Sequence, residues 1–230
     1  MISMDEKQLA SIIDHTLLVP TATSQDIERL CDEALEFSFH AVCLNSRWVS
    51  TAADRLHRSG IKVATVVGFP LGAESTAIKV AQAKDAIFEG ADEIDMVADL
   101  AALVEGDSKY LLGQLRSVVK VCKAMRPPVV LKVIVEATAL TVDQKRFACR
   151  VAQMAGVDFI KTSTGFHPTG GATVEDVALL KAEAPQCRIK AAGGIRTAQQ
   201  ASDMIGAGAD RIGTSNSVEI VRQWRAETSA

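Results

Sequence analysis

The sequence predicts an α/β chain folded as a (β/α)8 barrel of the TIM type, a single domain over residues 1–230. Three observations predict it. Segments of helical periodicity alternate with short apolar segments along the chain, the pattern of repeated helix-then-strand units. The joints are glycines: Gly60, Gly90, Gly156 and Gly208 each precede an apolar run, and the last three share a Gly-(Ala/Val)-Asp-x-Ile frame. Glycine suits the left-handed conformation that ends a helix. The apolar runs number eight, and most are nearly continuous, as strands covered on both faces are. A barrel of this kind takes about 250 residues, and a doubly wound open sheet is the alternative. No linker or shift in composition divides the chain.

In order, the candidate strands are Ile12 to Leu18, Ala41 to Leu44, Ile61 to Val67, Glu93 to Ala98, Val129 to Glu136, Asp158 to Ser163, Arg188 to Ala192 and Arg211 to Thr214. Ser24 is the expected cap of a helix to Phe37, where Ile27, Leu30, Cys31, Ala34 and Leu35 recur at helical spacing. Ser50 to Arg58 reads as the next helix. Ala73 to Glu89 carries an apolar stripe of Ile78, Ala81, Ala86 and Ile87, and Lys109 to Met125 one of Leu112, Leu115, Val118 and Cys122. Pro127 and Pro128 end that helix. Thr141 caps a stretch holding Phe147, Val151 and Met154; Thr173 caps Val174 to Ala184; Thr197 caps Ala198 to Ile205.

Composition excludes several function classes. Hydrophobic residues are 48% and charged residues 23%, so the chain is neither disordered nor a small disulfide scaffold. A net charge of −3 and aromatics at 4% leave neither a basic excess for a nucleic-acid backbone nor a stacking surface for bases. No apolar run approaches the length of a membrane span, which is roughly 20 residues. Met1 to Lys7, with Asp5 and Glu6 and no apolar segment, is not expected to act as a signal peptide. Five cysteines (Cys31, Cys43, Cys122, Cys149, Cys187) without a Cys-x-x-Cys pair point to a reducing cytoplasm rather than disulfides or zinc. The four histidines lie far apart, so a catalytic metal is not expected.

Charged residues inside apolar strands carry the functional signal. Lys132, Lys161 and Lys190 interrupt the fifth, sixth and seventh strands, Asp95 the fourth, and Glu136 follows the fifth. One such lysine is ordinarily a snorkelling side chain or an ion-pair partner. Three on adjacent strands are different, because a buried ammonium must be paired or lose its proton. One cation beside another eases that loss, and a neutral amine is the nucleophile that forms a Schiff base with a carbonyl. Glycine-rich turns follow the sixth, seventh and eighth strands, at Gly165, Gly193-Gly194 and Gly213 to Ser217. Amides at such turns favour a phosphate, and the last two loops of a barrel are its usual phosphate site.

Phe159 to Gly165, Ile189 to Gly194 and Glu93 to Val97, with Ile13 to Leu18, Ala41 to Leu44 and Gly68 to Gly72, resemble the deoxyribose-phosphate aldolases from Ile13 to about Ser217. The resemblance implies a metal- and cofactor-independent lyase that interconverts 2-deoxy-D-ribose 5-phosphate with acetaldehyde and D-glyceraldehyde 3-phosphate. Lys161 matches the family's Schiff-base lysine, Lys190 the second lysine that eases its deprotonation, and Asp95 the residue that shuttles protons. Gly165, Gly193, Gly194, Gly213 and Ser215 match the phosphate region, with Thr164 and Thr214 beside them. Asp14, Thr16, Lys132 and Cys43 fall among the substrate's neighbours, although Cys43 also fits a small core residue.

Two departures stand out. Some members have a lysine after the Thr-Gly of the sixth strand, where this chain has Phe166 and then His167. Some end in a tyrosine that assists the proton step; here the one tyrosine is Tyr110, and the tail runs Glu227 to Ala230. A sugar-phosphate isomerase, or a barrel that only binds a phosphate ligand, are the other readings, and neither forms a covalent adduct. The expected partners are a sugar phosphate and aldehydes, with a homodimer suggested by the family and no nucleic acid or membrane.

Overall fold

The computed structural model describes residues 4–228. A short helix α1 (Glu6–Ala10) leads into strand β1 (Ile13–Leu17). There follow α2 (Ser24–Phe37), β2 (Ala41–Leu44), α3 (Val49–Arg55), β3 (Lys62–Val67), α4 (Thr76–Phe88) and β4 (Glu93–Val97). Two helices, α5 (Leu100–Glu105) and α6 (Ser108–Lys123), precede β5 (Val130–Ile134). The chain continues through α7 (Val142–Ala155), β6 (Phe159–Lys161), α8 (Val174–Glu183), β7 (Arg188–Ala192), α9 (Ala198–Gly206), β8 (Arg211–Thr214) and α10 (Ser217–Thr228). All eight strands pair in parallel and in sequence order, and β8 closes on β1. The single-domain barrel is therefore the observed architecture, and the open sheet is not.

Local chemistry explains most boundaries. Thr141 accepts the amide of Gln144 while Gln144 reaches back to the amide of Thr141, a reciprocal cap. Gly156 ends that helix at a φ of 78°, in the left-handed region that a residue with a Cβ rarely adopts. Several expectations shift. The cap of α2 is Thr23, not Ser24, because Asp26 returns its bond to the Thr23 amide. Helix α4 starts at Thr76 rather than Ala73, and Ile78 stays half exposed while Lys79, Ala83 and Ala86 turn inward. In α6 the buried face is Leu111, Gln114, Leu115, Val118 and Cys122, and in α7 Met154 lies outside. The sixth strand is three residues long, and β5 ends before Glu136, whose backbone is left-handed. Helices α1 and α5 have no counterpart in the sequence pattern, because one or two turns are too short to show a period.

Strand alternation divides the side chains. Ile13, Val42, Val63, Ile94, Val133, Ile160, Ile189 and Ile212 pack with the helices in the main core. The opposite parity fills the barrel. On one side of that interior Leu18, Cys43, Ala64, Val66 and Phe69 make a small apolar cluster. On the other, Asp14, Glu93, Asp95, Lys132, Lys161, Lys190 and Arg211 are all buried. Barrels usually fill this space with branched aliphatics, so half of the interior is given to charge.

Candidate active site

The pairing register brings the charged strand residues together. Asp95 lies opposite Lys132 on β5, Lys161 lies opposite Lys190 on β7, and Asp14 lies opposite Gly213 on β8. Asp95 is the hub: Oδ1 accepts Lys132 Nζ at 2.8 Å, and Oδ2 accepts Lys161 Nζ at 2.9 Å and Lys190 Nζ at 2.7 Å. Lys190 also donates to Asp14. Below them Glu93 meets Lys132 at 2.5 Å, and Arg211 donates to Asp14 at 2.7 Å and to Glu93 at 3.3 Å. His40 reaches Glu93 at 3.2 Å from the rim.

Burial alone raises the Asp95 carboxyl, but the charges of Lys132, Lys161 and Lys190 outweigh it and hold it well below the usual carboxylate range. Glu93 is likewise held low against burial, chiefly by Lys132. Burial favours a neutral Lys190, yet Asp14 and Asp95 push its affinity for the proton above that of a free lysine. The same opposition, won by Asp95 and Glu93, keeps Lys132 charged. Four basic side chains (Lys132, Lys161, Lys190, Arg211) thus face three carboxylates (Asp14, Glu93, Asp95). Lys161 has the weakest anionic hold, because its one carboxylate oxygen is shared with Lys190.

Lys161 is also the one that opens upward. A cavity of about 240 Å³ sits over the C-terminal ends of β6, β7, β8 and β1, lined by Lys161, Thr16, Thr164, Gly165, Gly193 and Ser215 among others. Lys132 and Lys190 lie beneath it, fully buried. Gly213 makes room for this layering: a Cβ there would stand 2.9 Å from Lys190 Cε. Gly193 takes φ +92°, and a Cβ on it would meet Gly171 Cα at 3.0 Å and Gly165 Cα at 3.2 Å. Among the described residues the amides of Gly165, Gly194, Ile195 and Ser215 donate to no protein group, so they form a concave set of free donors. Arg196 lines the same cavity.

A carbonyl carbon above an amine and an anion among free amides are what this cavity can hold together. The DeoC/LacD family aldolase profile matches residues 8–216. The chain belongs to that family. Among the family's relatives, a protein named deoxyribose-phosphate aldolase from Thermococcus kodakarensis is 51% identical over 221 residues, covering 95% of this chain and 97% of its own. One of the same name from Caldicellulosiruptor saccharolyticus is 48% identical over 221 residues, covering 96% and 100%. A solved structure of deoxyribose phosphate aldolase from Aeropyrum pernix superposes with a TM-score of 0.90 at 32% identity, over 97% of this chain and 93% of that one.

Most residues that the family resemblance singles out meet here. Lys161, Thr16, Thr164, Gly165, Gly193, Gly194, Gly213, Thr214 and Ser215 line the cavity, and Asp95, Lys190, Lys132 and Asp14 form its ionic floor. Cys43 is not part of this cavity's lining; it is buried in the small apolar cluster, and burial raises its thiol. Phe166 stands at the cavity edge, its ring edge-on to Phe69 at 5.2 Å. Tyr110 is exposed on α6, away from the cavity, and Ser229 and Ala230 lie outside the described residues. Sequence reasoning misses Glu93, Arg211 and Arg196. Parity would find the first two, since each stands two residues before a singled-out interior position. His15, opposite in parity to Asp14, points outward, between Glu33 at 2.7 Å and Ser217 at 3.0 Å.

Proposed function

We propose that the protein is a deoxyribose-phosphate aldolase: it cleaves 2-deoxy-D-ribose 5-phosphate reversibly to D-glyceraldehyde 3-phosphate and acetaldehyde through a Schiff base on Lys161. One observation carries the reading. Three lysines converge on Asp95, and Lys161 alone among them lines the cavity.

The neutral Lys161 amine adds to C1 of the open-chain sugar, and loss of water leaves an iminium. Asp95, directly or through a water, takes the proton of the C3 hydroxyl. The C2–C3 bond then breaks, its electron pair flows into the iminium, and glyceraldehyde 3-phosphate departs. The remaining enamine is protonated at C2, and water releases acetaldehyde and the free amine. Lys190 stays cationic throughout, so a positive charge stands beside the reacting amine. The phosphate fits the free amides of Gly165, Gly194, Ile195 and Ser215, and Arg196 supplies the cation that Phe166 does not. The chain is also read as a homodimer on the strength of the family resemblance, and light scattering at twice the mass of the chain is the expected result.

The test is borohydride reduction in the presence of acetaldehyde, followed by intact mass and peptide mapping. A two-carbon adduct on Lys161 is expected, together with loss of both adduct and turnover in a folded Lys161→Met variant. A folded wild-type protein with no adduct rejects this reading and promotes an isomerase or a phosphate-binding barrel.

A further inference from the structure

Glu136 occupies an expensive position that the reaction above does not use. Its backbone is left-handed at φ 53° and ψ 58°, a region that side chains other than glycine, asparagine and aspartate rarely take. Its carboxyl is fully buried, and among the described residues it forms no ion pair. Burying such a group without a cation is unfavourable unless its oxygens are hydrogen-bonded.

The surrounding bonds show what the position does. The amides on either side of Glu136 both donate to the exit of β6: Val135 N–H to Lys161 O at 3.1 Å and Ala137 N–H to Thr162 O at 2.8 Å. The kink between them turns the Glu136 side chain toward Thr164. There Oε2 accepts the Thr164 hydroxyl at 2.6 Å, and the Thr164 amide lies 3.3 and 3.2 Å from the two oxygens. Thr164 Oγ1 in turn accepts the Phe166 amide at 3.1 Å. Both protons that Thr164 can donate are therefore committed to one buried carboxyl, and the amide two residues on is committed to Thr164. Between them Gly165 is held at φ +81°, facing the Gly193 turn, with its own N–H free. Thr164, Gly165 and Phe166 line the cavity, and Gly193 and Gly194 line it beside them, with a Cβ on Gly193 only 3.2 Å from Gly165 Cα.

We propose that Glu136 is a positioning residue for anion binding: it clamps residues 164–166 in the shape that aims the Gly165 amide at the phosphate ester. The phosphate is that of the function proposed above, so binding and chemistry are read separately. Asparagine tolerates the left-handed backbone but is too short to reach Thr164. Glu136→Asn should weaken calorimetric binding of glycerol 3-phosphate at least about tenfold, while acetaldehyde trapping on Lys161 stays within about twofold of wild type. Glu136→Gln, which keeps the reach and one acceptor oxygen, should bind within about threefold of wild type. A folded Glu136→Asn protein that binds glycerol 3-phosphate as wild type does overturns the proposal, since the clamp is then only structural. Parallel loss of binding and trapping also overturns it. Should that variant not fold, Thr164→Val decides by the same affinity measurement, a tenfold loss supporting the clamp and no loss refuting it. Wild-type protein that binds glycerol 3-phosphate yet traps no acetaldehyde would count against the aldolase reading alone.

Discussion

Asp95 accepts three ammonium groups on two oxygens, and the division of those bonds separates otherwise similar lysines. Lys132 and Lys190 each touch further carboxylates and stay charged; Lys161 shares its one oxygen and faces the cavity. Lys190→Leu removes the cation that shares Asp95 Oδ2 with Lys161. The expected result is a lower rate with an activity optimum displaced upward, read from a pH–rate profile; an unmoved optimum contradicts the electrostatic role. Arg196 is the cavity's cation at its exposed edge, where a charged hydrogen bond is worth about 1 kcal/mol after screening by solvent. Arg196→Ala should raise KM for the phosphorylated sugar roughly fivefold and leave kcat nearly unchanged. Equal KM in variant and wild type would remove Arg196 from the phosphate site. At this scale the sequence is informative where a charge breaks an apolar run, as at Lys132, Lys161, Lys190 and Asp95. It is silent at Glu93 and Arg211, because a charge at the first residue of a strand is ordinary. It is silent also at Lys79, which stands on a helix among other polar residues. Lys79 is buried, donating to Gly72 O in the loop after β3, to Val97 O at the end of β4 and to Gln114 Oε1 on α6.

At the level of elements, glycines lie close to the C-terminal ends of β6, β7 and β8: Gly165 in the segment after β6, Gly193 directly after β7 and Gly213 within β8. These glycines set distances. Gly213 on β8 leaves just enough space for the Lys190 side chain to pass toward Asp95 and Asp14. In Gly213→Ala the new Cβ would meet Lys190 Cε at 2.9 Å and Ala192 Cβ at 3.1 Å. Overpacking of this kind costs about 1–3 kcal/mol, and it displaces the ammonium as well. Both the melting temperature and kcat should fall; a variant that loses stability but keeps full turnover would show that the placement of Lys190 is not critical. Helix caps are legible in the sequence at Thr141, Thr173 and Thr197, because an oxygen three residues before a free amide is a local matter. Which face of α4 turns inward is not, because small alanines pack against the strands as well as a larger stripe does.

The whole molecule should carry the signature of its charged interior in its response to acid. Asp95 and Glu93 have folded-state proton affinities below those of the unfolded chain. Each therefore stabilises the fold fully above its unfolded value of about 4 and ceases to do so as pH falls through its folded value. His15 acts earlier. Burial lowers its proton affinity against the pull of Glu33, so below about pH 6.5 the unfolded chain binds a proton that the folded one resists. Stability should begin to decline just below pH 6.5 and fall steeply below about pH 4. Thermal melts followed by circular dichroism across pH 3–8 measure this, and a flat profile to pH 3 would mean that the interior carboxylates are not held low. High salt should change the steep acid limb little, since a buried cluster is screened much less than exposed pairs.

By itself the sequence determined the barrel, the order of its units, most helix caps and the identity of the lysines and the aspartate. Each of these is written in short-range terms: a period, a glycine joint, an oxygen three residues before an amide, a charge inside an apolar run. Only the tertiary structure decided which lysine faces the cavity and which stay locked beneath it. It also decided that Cys43 packs in the small apolar cluster, that Glu93 and Arg211 complete the ion cluster, and that Glu136 holds Thr164. Those facts depend on register between strands far apart in the chain, where Asp14 meets Lys190 and Arg211 only after β8 closes on β1. No local pattern encodes that register, because it is set by closure of the sheet as a whole.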